Sequence, residues 1–303
     1  MGATSEQLTE LARIARVDTL KELHIAQSGH PGSSMSAMDA MVALYFGGFL
    51  RHRVDDPAWD ERDVFVLSPG HAAPGYYAVL ALAGYFDRAE LSTLRKLGSR
   101  LEGHVKRGSL PGIEFSSGSL GQGLGFGAGV AYAMRLRGAS DRRVFAVTSD
   151  GEQQEGSVWE TVMFAASHGL SNLVAVVDVN RNQINGPTHE IMPVMDELAP
   201  KYEAFGWKTI EIDGNEMSAV VGALSDAREA DTPTAIISHT VTGKGVPFME
   251  GDFHWHHGHT TDEQFLAAMA ALGEEVSPER DESWDPGATP LPEWAESLAG
   301  ANV

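Results

Sequence analysis

The 303 residues predict an α/β fold in which a parallel sheet carries helices on both faces. Three observations lead to it. Short runs rich in β-branched residues recur along the chain, each bounded by polar or glycine-containing turns. Longer amphipathic or small-residue segments lie between the runs, the alternation of βαβ units. The runs are apolar on both faces instead of alternating, as strands covered from two sides must be.

Taken in order, Leu8, Leu11, Ala12 and Ala15 form the i, i+3, i+4, i+7 stripe of a helix ahead of the sheet. The expected strands are VFVL (64–67), VFAVTS (144–149), LVAVVDV (173–179), KTIEI (208–212) and TAIISH (234–239). Between them, residues 121–137, 157–169, 194–205 and 216–228 have helical length and composition. No fixed-period repeat occurs, which removes solenoids and propellers. The stretch SPERDESWDPGATPLPEWAESLAG is rich in proline and acid and lacks periodicity. The chain therefore reads as one α/β domain over residues 1–275 and a linker or partner-docking tail over 276–303.

Composition narrows the function. Hydrophobic residues at 43% furnish a core, and 22 Lys+Arg against 42 Asp+Glu give a formal charge of -20. Such a surface repels phosphate backbones and anionic lipid, so neither nucleic acid nor membrane is an expected partner. Without cysteine there is no disulfide or thiol nucleophile. The N-terminus lacks the basic and apolar regions of a signal peptide, Glu6 stands where myristoylation requires Ser or Thr, and no apolar run is long enough to span a bilayer. A cytoplasmic protein is expected.

Ligands of an open parallel sheet bind at the carboxyl ends of the strands. Asp150 follows the second expected strand, and Asp178, Asn180 and Asn182 end the third; the interval 151–179 is about one strand-helix-strand unit, so the two ends are neighbours. One carboxylate, one side-chain amide and one backbone carbonyl are oxygen ligands for a hard cation. So sparse a set suits Mg²⁺ whose other positions are filled by phosphate oxygens and water. Gly151 lets the backbone approach a phosphate. Asp-Gly or Asn-x-Asn alone is ordinary turn chemistry; together at this spacing they favour a metal diphosphate. A dinucleotide-binding unit competes for the same stretch. Gly123-x-Gly125-x-x-Ala128 follows a short expected strand, IEFSS, and Asp150 closes the next one. That reading leaves Asn180 and the histidines without a role, and the small residues of 121–131 equally permit close helix packing. HWHHGH (254–259) has the composition of a metal-binding tract.

Six ordered motifs, SGHPGSSMS, LSPGHAAPGYYAVLALAG, LPGIEFSSGSLGQGLGFGAGVAYA, SDGEQQEGSVWE, DVNRNQINGPT and TGKGVPFME, carry a resemblance. Over residues 10–265 the chain resembles the thiamine-diphosphate-binding half of transketolase. The resemblance implies Mg²⁺ held by Asp150, Asn180 and the Asn182 carbonyl, with the cofactor diphosphate on that ion, on Gly151 and near His71. It implies that Gly118, Ser119 and Leu120 meet the pyrimidine and linker of the cofactor and that Ile184 lines the thiazolium. Glu155 would sit at the subunit interface beside the partner's acid. His30, His104 and His257, with His256 as the alternative to the last, would face the donor's hydroxyl and carbonyl groups. Ser149 stands where the family generally has the first glycine of Gly-Asp-Gly, which puts that turn in question.

The activity implied is transfer of a two-carbon ketol unit from a ketose to an aldehyde. In the family, the glutamate that activates the cofactor and the arginines that hold substrate phosphate come from a second, pyrimidine-binding domain. The chain ends before that domain would begin. The resemblance thus implies the first subunit of a split enzyme, active only with a separately encoded pyrimidine-binding partner in an α₂β₂ heterotetramer. A 2-oxoacid dehydrogenase α chain or a deoxyxylulose-phosphate synthase would share the metal motif, but SGHPGS and SSGSLGQGLG favour transketolase. A nicotinamide-dependent oxidoreductase and a non-catalytic protein retaining the fold are the readings from other classes.

Overall fold

The structure, a computed structural model, describes residues 2–139, 141–277, 290–296 and 298. Helix α1 (Ser5–Ala26) starts under a capping box in which the Thr4 hydroxyl and the Gln7 amide each accept the other's backbone N–H. Leu8, Leu11, Ala12 and Ala15 are all buried, as their stripe requires. Helices α2 (Pro31–Ser36) and α3 (Met38–Phe46), strand β1 (Val64–Leu67) and helix α4 (Ala73–Leu82) follow. Then come α5 (Gln122–Leu136), β2 (Val144–Ser149), α6 (Gly156–Ser167) and β3 (Leu173–Val179). A short hairpin of β4 (Asn182–Gln183) and β5 (Gly186–Pro187) leads into α7 (Thr188–Ile191) and α8 (Ala199–Ala204). Strand β6 (Lys208–Asp213), α9 (Met217–Arg228), β7 (Thr234–His239), α10 (Asp262–Ala271) and α11 (Glu293–Glu296) complete the described elements.

The longer strands make one parallel sheet in the order β1-β2-β3-β7-β6. Its side chains divide by the two-residue period. Phe65, Leu67, Phe145, Val147, Val174, Val176 and Ile236 join α1, α3, α4 and α9 in one core. Val66, Ala146, Ala175, Val177, Ala235 and Ile237 join α5, α6 and α8 in the other. Each large side chain removed from water contributes about 1.5–3 kcal/mol, so the two faces clamp the strands and fix their carboxyl ends in one plane. A third cluster seats α10 on α1 through Val17, Leu20, Phe265 and Met269.

The expected strands match the observed ones, and three departures have physical causes. Residues 194–205 do not form one helix: a 3₁₀ turn covers Pro193–Met195 and α8 starts at Ala199, because Pro200 is tolerated only in a first helical turn. Residues 113–117 form no strand, so Gly123 and Gly125 in the first turn of α5 lack the βαβ context of a dinucleotide fingerprint. Helices α3 and α4 went unpredicted because every residue on them is buried; a helix without a polar face shows no amphipathic period.

Of the tail expected over 276–303, residues 278–289, 297 and 299–303 lie outside the described residues. The described part returns to the first core, with Ala295 only 2% exposed and Leu291, Trp294 and Leu298 packed alongside.

The small residues of α5 do serve close packing. A Cβ on Gly123 would fall 2.5 Å from the Ser68 Cβ and 2.7 Å from its Cα, and backbone at that distance cannot yield cheaply. Gly123→Ala is therefore expected to destabilise the chain by about 1–3 kcal/mol, measured by urea denaturation; an unchanged midpoint would show that α5 is free to slide.

Candidate active site

The end of β2 and the end of β3 stand side by side, with Ser149 opposite Asp178 in the ladder. Ser149 is not among the residues with positive φ and simply ends the strand, so serine does not disturb the turn here. Asp150 is 6% exposed. Its carboxylate accepts the backbone N–H of Gly151 at 2.8 Å, that of Arg181 at 2.8 Å and the Thr188 hydroxyl at 3.0 Å. Burial, reinforced by the nearby Asp178, pushes its pKa up to about 7. Three donors thus aim a carboxylate that the fold alone leaves short of charge compensation.

Asn180 lies beside it. The Asn180 amide nitrogen donates to the Ser36 hydroxyl and to Asp178, each at 3.1 Å, which fixes its oxygen as the outward atom; that oxygen accepts the Asn182 N–H at 3.0 Å. Asn182 faces Pro187 across the hairpin, and proline has no N–H to occupy the Asn182 carbonyl. Arg181 between them has φ 63°, a conformation that places its N–H on Asp150 at a cost of about 1–3 kcal/mol. Asp178 itself turns inward. Its oxygens accept from Ser36 at 2.6 Å, Asn180 at 3.1 Å and Thr240 at 2.5 Å.

A histidine cluster stands next to this floor. The His30 ring lies 4.7 Å from His257, 5.2 Å from His71, 5.8 Å from His256 and 6.2 Å from His104; His71 and His256 are 4.9 Å apart. The Ser33 hydroxyl bonds His71 at 3.2 Å, while His30 Nδ1 is buried without a hydrogen-bond partner among the described residues. Burial and mutual repulsion depress the pKa values to about 2 for His30, about 3 for His71 and about 4 for His256. His104 is lowered by burial and by Arg95. Both His256 and His257 reach His30, so the two alternatives are neighbours. His254 instead pairs with Asp252 at 2.6 Å, and among the described residues no three His, Asp or Glu side chains converge as a metal cluster.

Asn182 of the floor and His71 and His256 of the histidine cluster line a cleft of about 220 Å³ together with Leu120, Gly151, Glu155 and Ile184. Gly118 closes on His104, its missing Cβ 3.6 Å from the ring, and Ser119 is exposed. Of the sequence-expected residues, His71, Leu120, Gly151, Glu155, Asn182 and Ile184 line this cleft, and His30 adjoins it through His71 and His256. Several participants were not expected: Ser33 and Ser36 on α2, Thr242, and Glu152. The fully buried Glu152 carboxylate accepts Gly121 N at 2.7 Å, Ser149 N at 3.3 Å and the Ser68 hydroxyl, tying β1, β2 and the start of α5 together. Gly121 begins that helix at φ 77° with Glu155 Cβ 2.7 Å from where its own would be, so only glycine fits. The one legible signal for the serines was SGHPGSSMS; Glu152 had none beyond its place after Asp150-Gly151.

Residues 5–280 match the family model for the transketolase thiamine diphosphate binding domain. The chain belongs to the transketolase family. It is 38% identical over 275 residues to the 6-deoxy-6-sulfo-D-fructose transketolase subunit of Clostridium sp., covering 89% of this chain and 99% of that one. It is also 38% identical to an apulose-4-phosphate transketolase subunit of Phocaeicola vulgatus, covering 83% and 88%. Human transketolase is 40% identical over 83% of this chain, which spans only 40% of that longer protein. Among solved structures, a Pichia stipitis transketolase superposes with TM-score 0.86 at 27% identity over 98% of this chain and 44% of that one. The Leishmania mexicana enzyme gives 0.85 at 26% identity over 99% and 45%. A transketolase domain that binds thiamine diphosphate thus presents a cleft with a carboxylate-amide floor and a wall of histidines.

His30, His71 and His256 are expected to stay neutral well below physiological pH. In an NMR titration of the full chain, the imidazoles of His30, His71 and His256 should remain unprotonated as pH falls through about 6.5, the ordinary histidine range. Titration of any of the three near that value would contradict the depressed pKa values.

Proposed function

We propose that this chain is the diphosphate-binding subunit of a split transketolase-type enzyme, moving a two-carbon ketol unit from a ketose donor to an aldehyde acceptor. The observation that carries it is the cleft lined by Gly151 and Asn182, which are hydrogen-bonded to Asp150 and Asn180, together with His71 and His256, whose rings adjoin His30 and through it His104 and His257. A buried carboxylate with raised pKa, an aimed amide oxygen and a carbonyl without a donor opposite form an oxygen set that fits Mg²⁺ carrying a diphosphate. Asp150, Asn180 and the Asn182 carbonyl would hold the ion, with Gly151 and His71 toward the phosphates. Thiamine diphosphate, when bound, supplies a carbon centre able to accept and release the two-carbon unit. The chain's own part is to orient and to handle protons. Gly118, Ser119, Leu120 and Ile184 bound the organic part of the cofactor. The ring nitrogens of His30, His104 and His257 would meet substrate hydroxyls, with burial holding His30 and His104 toward the neutral form.

The missing strand before α5 removes the support for a nicotinamide site, and the relatives named above are transketolases or transketolase subunits. We read residues 1–275 as the binding domain and 276–303 as an accessory tail. Among the described residues no helix is long and apolar enough to cross a membrane, and we take the setting to be cytoplasmic.

Asp150→Ala should lower affinity for Mg²⁺ and thiamine diphosphate by about a hundredfold or more, since even outer partners of metal ligands are worth roughly 10–100-fold. The fold should survive, the residue being at a strand end. Because the ion needs the carboxylate and the free carboxyl titrates at about 7, wild-type affinity should fall as pH drops below that value, with proton release on binding. Calorimetric titration at several pH values reads both, and a pH-independent affinity equal in the two proteins would remove Asp150 from the site.

The cleft is open on one side. Glu155 is exposed and Ile184 is 64% exposed at its rim, as expected of a surface completed by another chain. We infer a pyrimidine-binding partner, in line with the two relatives named as subunits, and an α₂β₂ assembly. This chain by itself should be inactive and should gain two-carbon transfer on mixing with the partner. Light scattering after size-exclusion chromatography and a coupled ketose assay with and without the partner measure it, and full activity from the chain alone would overturn the split-enzyme reading.

A further inference from the structure

Behind the histidine wall lies an arginine to which the proposed chemistry gives no role. Arg95 follows the 3₁₀ turn Arg88–Thr93 and is half-buried. Its backbone has φ 59° and donates to Leu101 O at 2.8 Å, a left-handed conformation that a residue with a β-carbon adopts at a cost. Glycine or asparagine would fit that backbone more cheaply, so the side chain carries the reason for the residue. Its Nη1 donates to the Ser28 hydroxyl, two residues before His30. Its Nε and Nη2 lie 2.7 Å from the position a Cβ on Gly103 would take, one residue before His104. The guanidinium is thus inserted between the two loops that carry His30 and His104, whose rings stand 6.2 Å apart. It makes no ion pair among the described residues, although the chain holds 42 acidic residues against 22 basic ones. The neighbouring Glu102 is taken by Lys106 at 3.0 Å and Glu90 by Arg100 at 2.6 Å.

We propose that Arg95 is a positioning residue for the substrate-facing histidines, its guanidinium clamping the Ser28 and Gly103 loops so that His30 and His104 present their nitrogens to the ketose. This rests on the reading of those histidines given above. The absence of an acid on Arg95 has a purpose in it. A fixed positive charge beside the two rings opposes their protonation, and a carboxylate partner would cancel it. The groups facing His104 are His30 and His71 across the cleft and Arg95 behind, with Glu102 already neutralised by Lys106. Those facing His30 are His71, His256, His257 and Arg95. On His104 the one charge that acts besides burial is Arg95.

The test uses Arg95→Met, Arg95→Lys and Ser28→Ala in the full chain. NMR titration of the histidines should show His104 protonating at higher pH in Arg95→Met, by about half a unit or more, and near its wild-type value in Arg95→Lys, which keeps the charge. Ser28→Ala removes only the hydrogen bond and should disturb the His30 loop without moving the His104 titration. In the assembled enzyme Arg95→Met should lower kcat/KM for the ketose about tenfold, with thiamine diphosphate affinity unchanged. An unaltered His104 titration in a folded Arg95→Met chain overturns the proposal whatever the enzyme does. A shifted titration with undiminished ketose kcat/KM overturns the positioning role. A shifted titration in a wild-type complex that never turns over a ketose leaves the clamp standing and sinks the proposed activity instead.

Discussion

The site hangs on the buried carboxylate of Asp178. It lies inside the sheet, at the end of β3, where burial pushes its pKa up to about 6 against the hydrogen bonds that lower it and where an unpaired acid would be costly. Ser36 from α2, Thr240 after β7 and the Asn180 amide all donate to it. Those three bonds do more than solvate an acid. Ser36 locks α2, the helix entered directly from His30 and carrying the serine that bonds His71. Asn180 is held with its oxygen outward, and Thr240 begins the segment whose Thr242 accepts from Asn182 at 2.7 Å. One desolvated charge therefore sets the Asn180 amide, the helix that follows His30 and the Asn182 turn together.

Around that anchor the electrostatics are divided by place. The chain is strongly acidic overall, yet the charges that act on His30, His71, His104 and His256 are those of other histidines and Arg95, and His30, His71 and His256 are held neutral by burial and by mutual repulsion. The acid is confined to the floor, where Asp150 receives three hydrogen bonds and still has a raised pKa. Hydrogen bonds lower a carboxyl pKa; that burial wins here means the fold has withheld the positive charge that would settle it. In the proposed function a cation brought by the ligand would supply it. The same fold withholds an acid from Arg95, so one side of the cleft lacks a cation and the other lacks an anion.

The strands were legible because two-sided burial writes itself as continuous β-branched runs, and the floor was legible because Asp150 and Asn180 lie one βαβ unit apart in a fold that must bring such ends together. The buried helices α3 and α4 were not, having no polar face to set a period. Neither were Ser36 and Glu152. Ser36 meets Asp178 across 142 residues of sequence and Glu152 meets Ser68 across 84, and a contact of that kind leaves no local spacing to read. Ser149 went the other way. A departure from the family pattern that put a turn in question proved to lie within a regular strand, where a side chain is unremarkable.

Backbone strain marks the same site independently of any side-chain role. Among the described residues, the non-glycine residues with positive φ are Gln27, Arg95 and Arg181. Each adjoins a segment that carries a residue of the proposed site. Gln27 caps α1 three residues before His30, Arg95 clamps the loops of His30 and His104, and Arg181 sits between Asn180 and Asn182 with its N–H on Asp150. Elsewhere the left-handed turns are made by glycine, which takes them without steric cost. Since strain of about 1–3 kcal/mol per residue persists only where surrounding structure holds it, its confinement to these positions indicates that the two packed faces of the sheet stabilise conformations the loops would not adopt alone. The rigid cores and the strained rim are then parts of one arrangement, in which packing energy is converted into the fixed geometry of a few polar atoms.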